Sequence, residues 1–137
     1  MSLFKVLDVA SSGMSSQSTR LNATASNLAN AENTAGAPDQ VYKARHPVFA
    51  AVLDSTDPQA VAAGVRVEAI VEDNSAPHQL FAPENPLADE NGYIYMTNVN
   101  AVEEMANMIS ASRSYQMNAE VMNTTKQLLL RTLQIGE

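Results

Sequence analysis

Residues 98–136, NVNAVEEMANMISASRSYQMNAEVMNTTKQLLLRTLQIG, decide the architecture. Asn100, with Glu103 three places later, opens the stretch as a capping box with Asn in the Ser/Thr position. Glu103 and Glu104 also place negative charge at the positive end of a helix dipole. Ala101, Met105, Met108, Ser112, Tyr115, Ala119, Met122, Lys126, Leu129 and Leu133 then recur in steps of four and three until Gly136, with only Ser112 and Lys126 breaking the apolar character. The period predicts one helix of about 35 residues and roughly 50 Å, too long for a small domain unless something lies alongside it. Towards its end, Leu128, Leu129, Leu130, Leu133 and Ile135 put apolar groups on more than one side.

The partner is at the other end of the chain. Leu7, Met14, Leu21 and Leu28 recur at an unbroken spacing of seven, with Leu3, Ala10, Ala25 and Ala31 at neighbouring helical positions. This is a narrow stripe of coiled-coil type. The residues between are mostly Ser, Thr and Asn, mediocre helix formers because their side chains compete for backbone hydrogen bonds. Alone the segment is expected to be barely helical; packed, it lets a neighbour approach closely. Glu32 to Ala37, followed by Pro38, stops the helix.

Between the ends the chain changes character. All six prolines fall between Gly36 and Leu87, and residues 1–35, 36–97 and 98–137 carry net charges of 0, −6 and −1 within the total of −7. Val65, Val67, Ala69 and Val71 alternate with Arg66, Glu68, Ile70 and Glu72, predicting a half-exposed strand. Val41–Leu53 reads as a strand interrupted by Pro47. Asn91-Gly92 is a turn leading into a strand at Tyr93–Met96, and Asp73–Glu90 reads as an extended loop. The fold class is mainly α with a small β and loop insert. The terminal helices pair as an antiparallel, coiled-coil-like hairpin, residues 1–35 with 98–137 forming one discontinuous domain and 36–97 a middle segment.

Composition narrows the function. Eight scattered Lys and Arg in an acidic chain supply no stripe for nucleic acid, and the same balance disfavours an anionic membrane surface. The absence of cysteine excludes disulfides and thiolate metal sites. The opening segment, with Lys5 and Asp8, predicts neither a cleavable signal peptide nor a transmembrane helix. His46 and His78 lie beside prolines with no second convergent group, and no Gly-x-Ser-x-Gly elbow occurs, so no catalytic site is read. Asp89, Asn91, Gly92 and Ile94 match inner places of a calcium loop. Its two end places are Leu87 and Asn98, so a plain turn is read and no metal or cofactor is expected. The sequons at Asn22 and Asn123 lie on the two helices and read as chance matches. A seam this long must be buried against the same chain or another subunit.

Ser26-Asn27-Leu28-Ala29-Asn30-Ala31-Glu32-Asn33-Thr34 resembles the signature shared by bacterial flagellar rod, hook and related axial proteins, and Glu103-Glu104-Met105 through Leu130, Leu133 and Gly136 is similar to the matching end. Asn98 to Ile109 with Ser112-Arg113-Ser114-Tyr115-Gln116 most resembles the C-type basal-body rod proteins of the proximal rod. The family motif residues here are Asn27, Leu28, Asn30 and Thr34 at one end and Asn98, Asn100, Glu103, Glu104, Met105, Arg113, Tyr115 and Gln116 at the other. The resemblance implies a non-enzymatic subunit of the drive shaft that carries torque across the periplasm to the hook. It also implies terminal helices forming an inner tube with the middle segment outside, export through the flagellar type III apparatus, and other copies and other rod proteins as partners. Nucleic acid and lipid insertion are not expected. Helix and subunit packing is expected from Leu7, Met14, Leu21, Leu28, Met105, Met108, Ile109, Tyr115, Met122, Leu129, Leu130 and Leu133. From the residues alone the competing reading is a monomeric acidic helical-hairpin binding module, which would fold cooperatively at low concentration.

Overall fold

The computed structural model describes residues 2–53 and 64–135; Met1, Pro58 and Gly136 lie outside the described residues, as does the side chain of Ile135. The element order is α1 (Leu3–Ala29), β1 (Thr34–Ala35), β2 (Arg45–Val52), β3 (Gly64–Glu72), β4 (His78–Phe81), β5 (Tyr93–Met96) and α2 (Ala101–Ile135). The two long helices pack along each other, as the terminal patterns require, and the chain between them forms short antiparallel strands.

α2 is well capped. The Asn100 side-chain oxygen accepts the N–H groups of Val102 (3.1 Å) and Glu103 (3.3 Å), satisfying two donors that the first turn leaves orphaned. α1 begins after Ser2 with no side-chain cap, so its helicity rests on what it packs against. It ends at Ala29, and Asn30 N–H closes the last turn onto Ser26 and Asn27 carbonyls.

Cross-helix neighbours set the pairing. Asn27 touches Glu104, Arg20 touches Asn107, and a Cβ at Gly13 would lie 2.9 Å from the Asn118 amide nitrogen. As numbers fall on α1 they rise on α2, so the helices are antiparallel. The deepest line of the seam carries Ala10, Gly13, Ser16, Thr24 and Asn27 on α1 and Glu104, Ala111 and Thr125 on α2. Small side chains let the backbones approach, and Gly13 is the notch that receives Asn118. Gly13→Leu is therefore expected to overpack this layer and destabilise the subunit by about 1–3 kcal/mol in urea unfolding. Gly13→Ala should be milder, because the displaced Asn118 side chain can swing aside.

β2 and β3 form a two-stranded sheet lying on α1, and β1, β5 and β4 form a three-stranded sheet in that order. Two expectations are corrected here. The Asp73–Glu90 stretch is not wholly loop, since His78–Phe81 forms β4 and pairs with Tyr93–Met96 of β5. Nor does Pro47 interrupt β2, which runs from Arg45 to Val52 with Pro47 opposite Ile70. In a two-stranded sheet each strand keeps one edge unpaired, where a missing N–H removes no ladder bond. The β3 alternation holds only at Val65 and Val67. The register shifts beyond them, and Ala69, Ile70 and Val71 are exposed. The turn into β5 closes at Gly92, whose φ of +83° suits glycine.

Candidate assembly interface

Where the helix pair meets the middle segment, polar side chains take over from apolar ones. Asn27 is fully buried and uses all of its hydrogen-bonding capacity. Its amide nitrogen donates to the Arg45 carbonyl (2.9 Å) and to Glu104 Oε2 (3.1 Å). Its carbonyl oxygen accepts the Arg45 N–H (2.9 Å) and the Tyr42 hydroxyl (2.9 Å). One asparagine on α1 thus joins the approach to β2, the start of β2 and the first turn of α2. Glu104 is buried, and His46 Nδ1 stands 3.9 Å from its Oε1, beyond hydrogen-bond length. The exposed Arg45 guanidinium meets Glu72 across the strand pair at 3.0 Å.

A second asparagine makes the complementary tie. The Asn98 side-chain oxygen accepts the Ala44 N–H (2.8 Å), while its amide nitrogen donates to the Asp73 carbonyl (3.1 Å) and Ser75 Oγ (2.9 Å). It clamps the start of β2 and the exit from β3 onto the lead into α2. Ser12 and Ser16 extend the attachment along α1. Ser12 Oγ accepts the Val65 N–H (3.2 Å) and Ser16 Oγ donates to the Val65 carbonyl (3.4 Å). These serines, poor for the helix, serve the strand beside it.

The turn before β5 is organised by Asp89, whose carboxylate accepts the N–H groups of Asn91 (2.9 Å) and Tyr93 (2.8 Å) and the Tyr95 hydroxyl (3.3 Å). The Tyr93 hydrogen bond first, and those from Asn91 and Tyr95 after it, hold this carboxyl below the usual aspartate value against partial desolvation. The group therefore remains ionised, and the turn closed, until pH falls below the ordinary range. Both histidines are exposed.

The packing residues read from the sequence fall into two sets. Leu7, Met14, Leu21 and Leu28 on α1, and Met108, Met122 and Leu129 on α2, are half-buried along the flanks of the seam. Met105, Ile109, Tyr115, Leu130 and Leu133 are exposed in the single chain. Of the motif residues, Asn30 donates to the Ser26 carbonyl, Thr34 pairs with Met96 between β1 and β5, and Glu103, Arg113 and Gln116 face outward. Sequence reading missed Gly13, Asn118, Ser12, Ser16, Tyr42 and Arg45. A signal for part of this was present: Glu104, Ala111, Asn118 and Thr125 are spaced by seven beside the methionine row.

α2 also carries a second apolar face. Val102, Ile109, Met117, Val121 and Leu128 are exposed, and shallow grooves lined by Ala106, Ile109, Arg113, Met117, Val121 and Thr124 run along it. Apolar faces of this length on a single chain are the kind of surface through which proteins contact other chains. No helix among the described residues is long and apolar enough to cross a membrane.

Comparison with known proteins identifies the family. Residues 7–37 match the family model described as flagella basal body rod protein, and residues 90–135 match the flagellar basal body rod FlgEFG protein C-terminal model. The chain is 48% identical over 137 residues to the flagellar basal-body rod protein FlgC of Yersinia enterocolitica and 46% identical to that of Salmonella typhimurium, in both cases over the whole of each chain. The FlgC protein of Aquifex aeolicus is 39% identical over 136 residues, covering 98% of this chain and 97% of its own. With likeness over the full length at this level, the chain belongs to the FlgC family of flagellar basal-body rod proteins and is a structural rod subunit of the flagellar basal body.

Proposed function

We propose that this subunit belongs to the proximal rod, where it assembles with other copies and with other rod proteins and passes motor torque toward the hook. Its work is mechanical. The polar side chains that converge are Asn27, Glu104 and Asn98, and each is occupied in holding elements together. The observation that carries the reading is the two-sided apolar character of α2, one face on α1 and the other exposed. Such a helix pair offers different surfaces to different neighbours, and a repeating contact of that kind builds a helical tube. On this reading the helices (1–35 and 98–137) form the axial layer, and the acidic middle (36–97) forms the outer one. Family resemblance supports exit through the flagellar type III export apparatus and a place in the periplasmic rod.

The deciding measurement is a density map of purified rods. Residues 3–29 and 101–135 are expected to surround a central channel with β2–β4 outside them. A map placing the strands on the channel wall would overturn the arrangement.

A further inference from the structure

The exposed face of α2 is a ridge. Val102, Ala106, Ile109, Arg113 and Met117 follow one another in steps of three and four, centred roughly 150° around the helix from the seam. Val102 is 76%, Ile109 57% and Met117 61% exposed. In the middle of this ridge stands one cation, Arg113, with no ion pair among the described residues.

The matching surface is on α1 of the same chain. Its outward side carries Phe4, Asp8, Ser11, Ser15 and Ser18, all exposed, again in steps of three and four. Asp8 likewise has no ion pair among the described residues. The two charges cannot meet within one chain: the pairing of Gly13 with Asn118 puts Arg113 level with about residue 18, roughly 15 Å along the axis from Asp8.

We propose that the α2 ridge of one subunit seats on the outward face of α1 of a second copy, with Arg113 paired to Asp8. This rests on the rod-subunit reading and specifies its contact. Because α1 and α2 are antiparallel within the chain, α1 of one copy and α2 of the next run antiparallel among like-oriented subunits. Setting Arg113 opposite Asp8 in that direction brings Met117 level with Phe4, pairing two large exposed apolar groups. It also brings Ile109 to about the level of Ser11 and Val102 to about that of Ser18, so each branched apolar group meets a smaller side chain, and it sets Ala106 level with Ser15, where both groups are small. A slip of one heptad toward the α2 end would instead bring Asp8 against Glu120, like charges facing each other. Shape and charge therefore select the same register.

The chain has no cysteine, which permits a clean test. Asp8→Cys and Arg113→Cys variants are expressed together in cells lacking the native chain, and their purified basal bodies are oxidised. Since each chain carries one thiol, a disulfide-linked dimer containing both variants can arise only between copies. That dimer is expected, and neither variant alone should give one. Basal bodies containing both variants without a mixed dimer would overturn the contact while leaving the rod reading intact. Native basal bodies lacking this chain would overturn the rod reading itself. If the cysteine variants do not assemble, charge exchange decides. Asp8→Arg and Arg113→Asp should each lower the number of completed rods about tenfold or more, and the two combined in one chain should restore it. A double variant as defective as the sum of the singles would refute the pairing.

Discussion

Asn27→Ala is expected to be the most damaging single substitution in the chain, lowering the stability of the folded subunit by about 3–5 kcal/mol. The loss exceeds that of one hydrogen bond because the side chain supplies four. Removing it leaves the Arg45 N–H and carbonyl without their side-chain partner and takes the only described donor from Glu104 Oε2. A buried carboxylate without a donor is the costly part. Asn27→Asp keeps the shape and turns the donor into a second carboxylate oxygen facing Glu104, so it should be no better than Ala. Tyr42→Phe removes the hydroxyl's bond to Asn27 and its exposed bond with Ser26 at the edge of the cluster, and should lower stability by only about 1 kcal/mol. Chemical unfolding of the purified subunits checks the order. An Asn27→Ala protein as stable as Tyr42→Phe would mean that the cluster does not hold the middle segment to the helices.

Deletion from Leu128 onward is expected to abolish incorporation into the rod. The helix register sets the start of α1, Leu3, level with about residue 128, so beyond that point α2 runs on for roughly 10 Å with no α1 beside it. On that stretch Leu130 is 51% and Leu133 69% exposed. Each such leucine contributes roughly 1.5–3 kcal/mol when fully buried, and among the described residues of this chain nothing buries Leu130 or Leu133. The unfolding transition of the truncated subunit should stay close to that of the full chain, because little of the intrachain seam is lost. Mass spectrometry of basal bodies from cells expressing only the truncated chain gives the answer. Normal incorporation and motility would show that this end anchors nothing.

The helices and their antiparallel pairing were legible because periodicity is a local property. Steps of four and three from Ala101, and of seven from Leu7, appear in any window long enough to hold them. The cap at Asn100 was legible for the same reason, since cap and capped groups lie within three residues. What escaped was set by distant partners. Ser12 and Ser16 look like weak helix residues until Val65 stands beside them, 53 and 49 residues away. β4 is short and flanked by Pro77 and Pro83, so only its pairing with β5 makes it a strand. Of the candidate site, Asn27, Asn98 and Glu104 were found through a resemblance, while their connection depends on Arg45 and Ala44, which carry no pattern of their own.

The mixed character of the seam bears on how a helix recognises its proper mate. Rows of leucine and methionine are interchangeable grease: slid by one heptad, they would bury nearly as much surface, and terminal helices of similar stripe would accept one another. The line between those rows is not interchangeable. Moving α1 one heptad along α2 would set Asn27 against Ala111, which has no side-chain acceptor for its amide, and carry the Gly13 notch away from Asn118. Such errors strand buried polar groups and open a void beside a misplaced side chain. The polar thread therefore acts as a combination lock, making a mismatched or slipped pairing expensive at the one place where the hydrophobic rows would have allowed it.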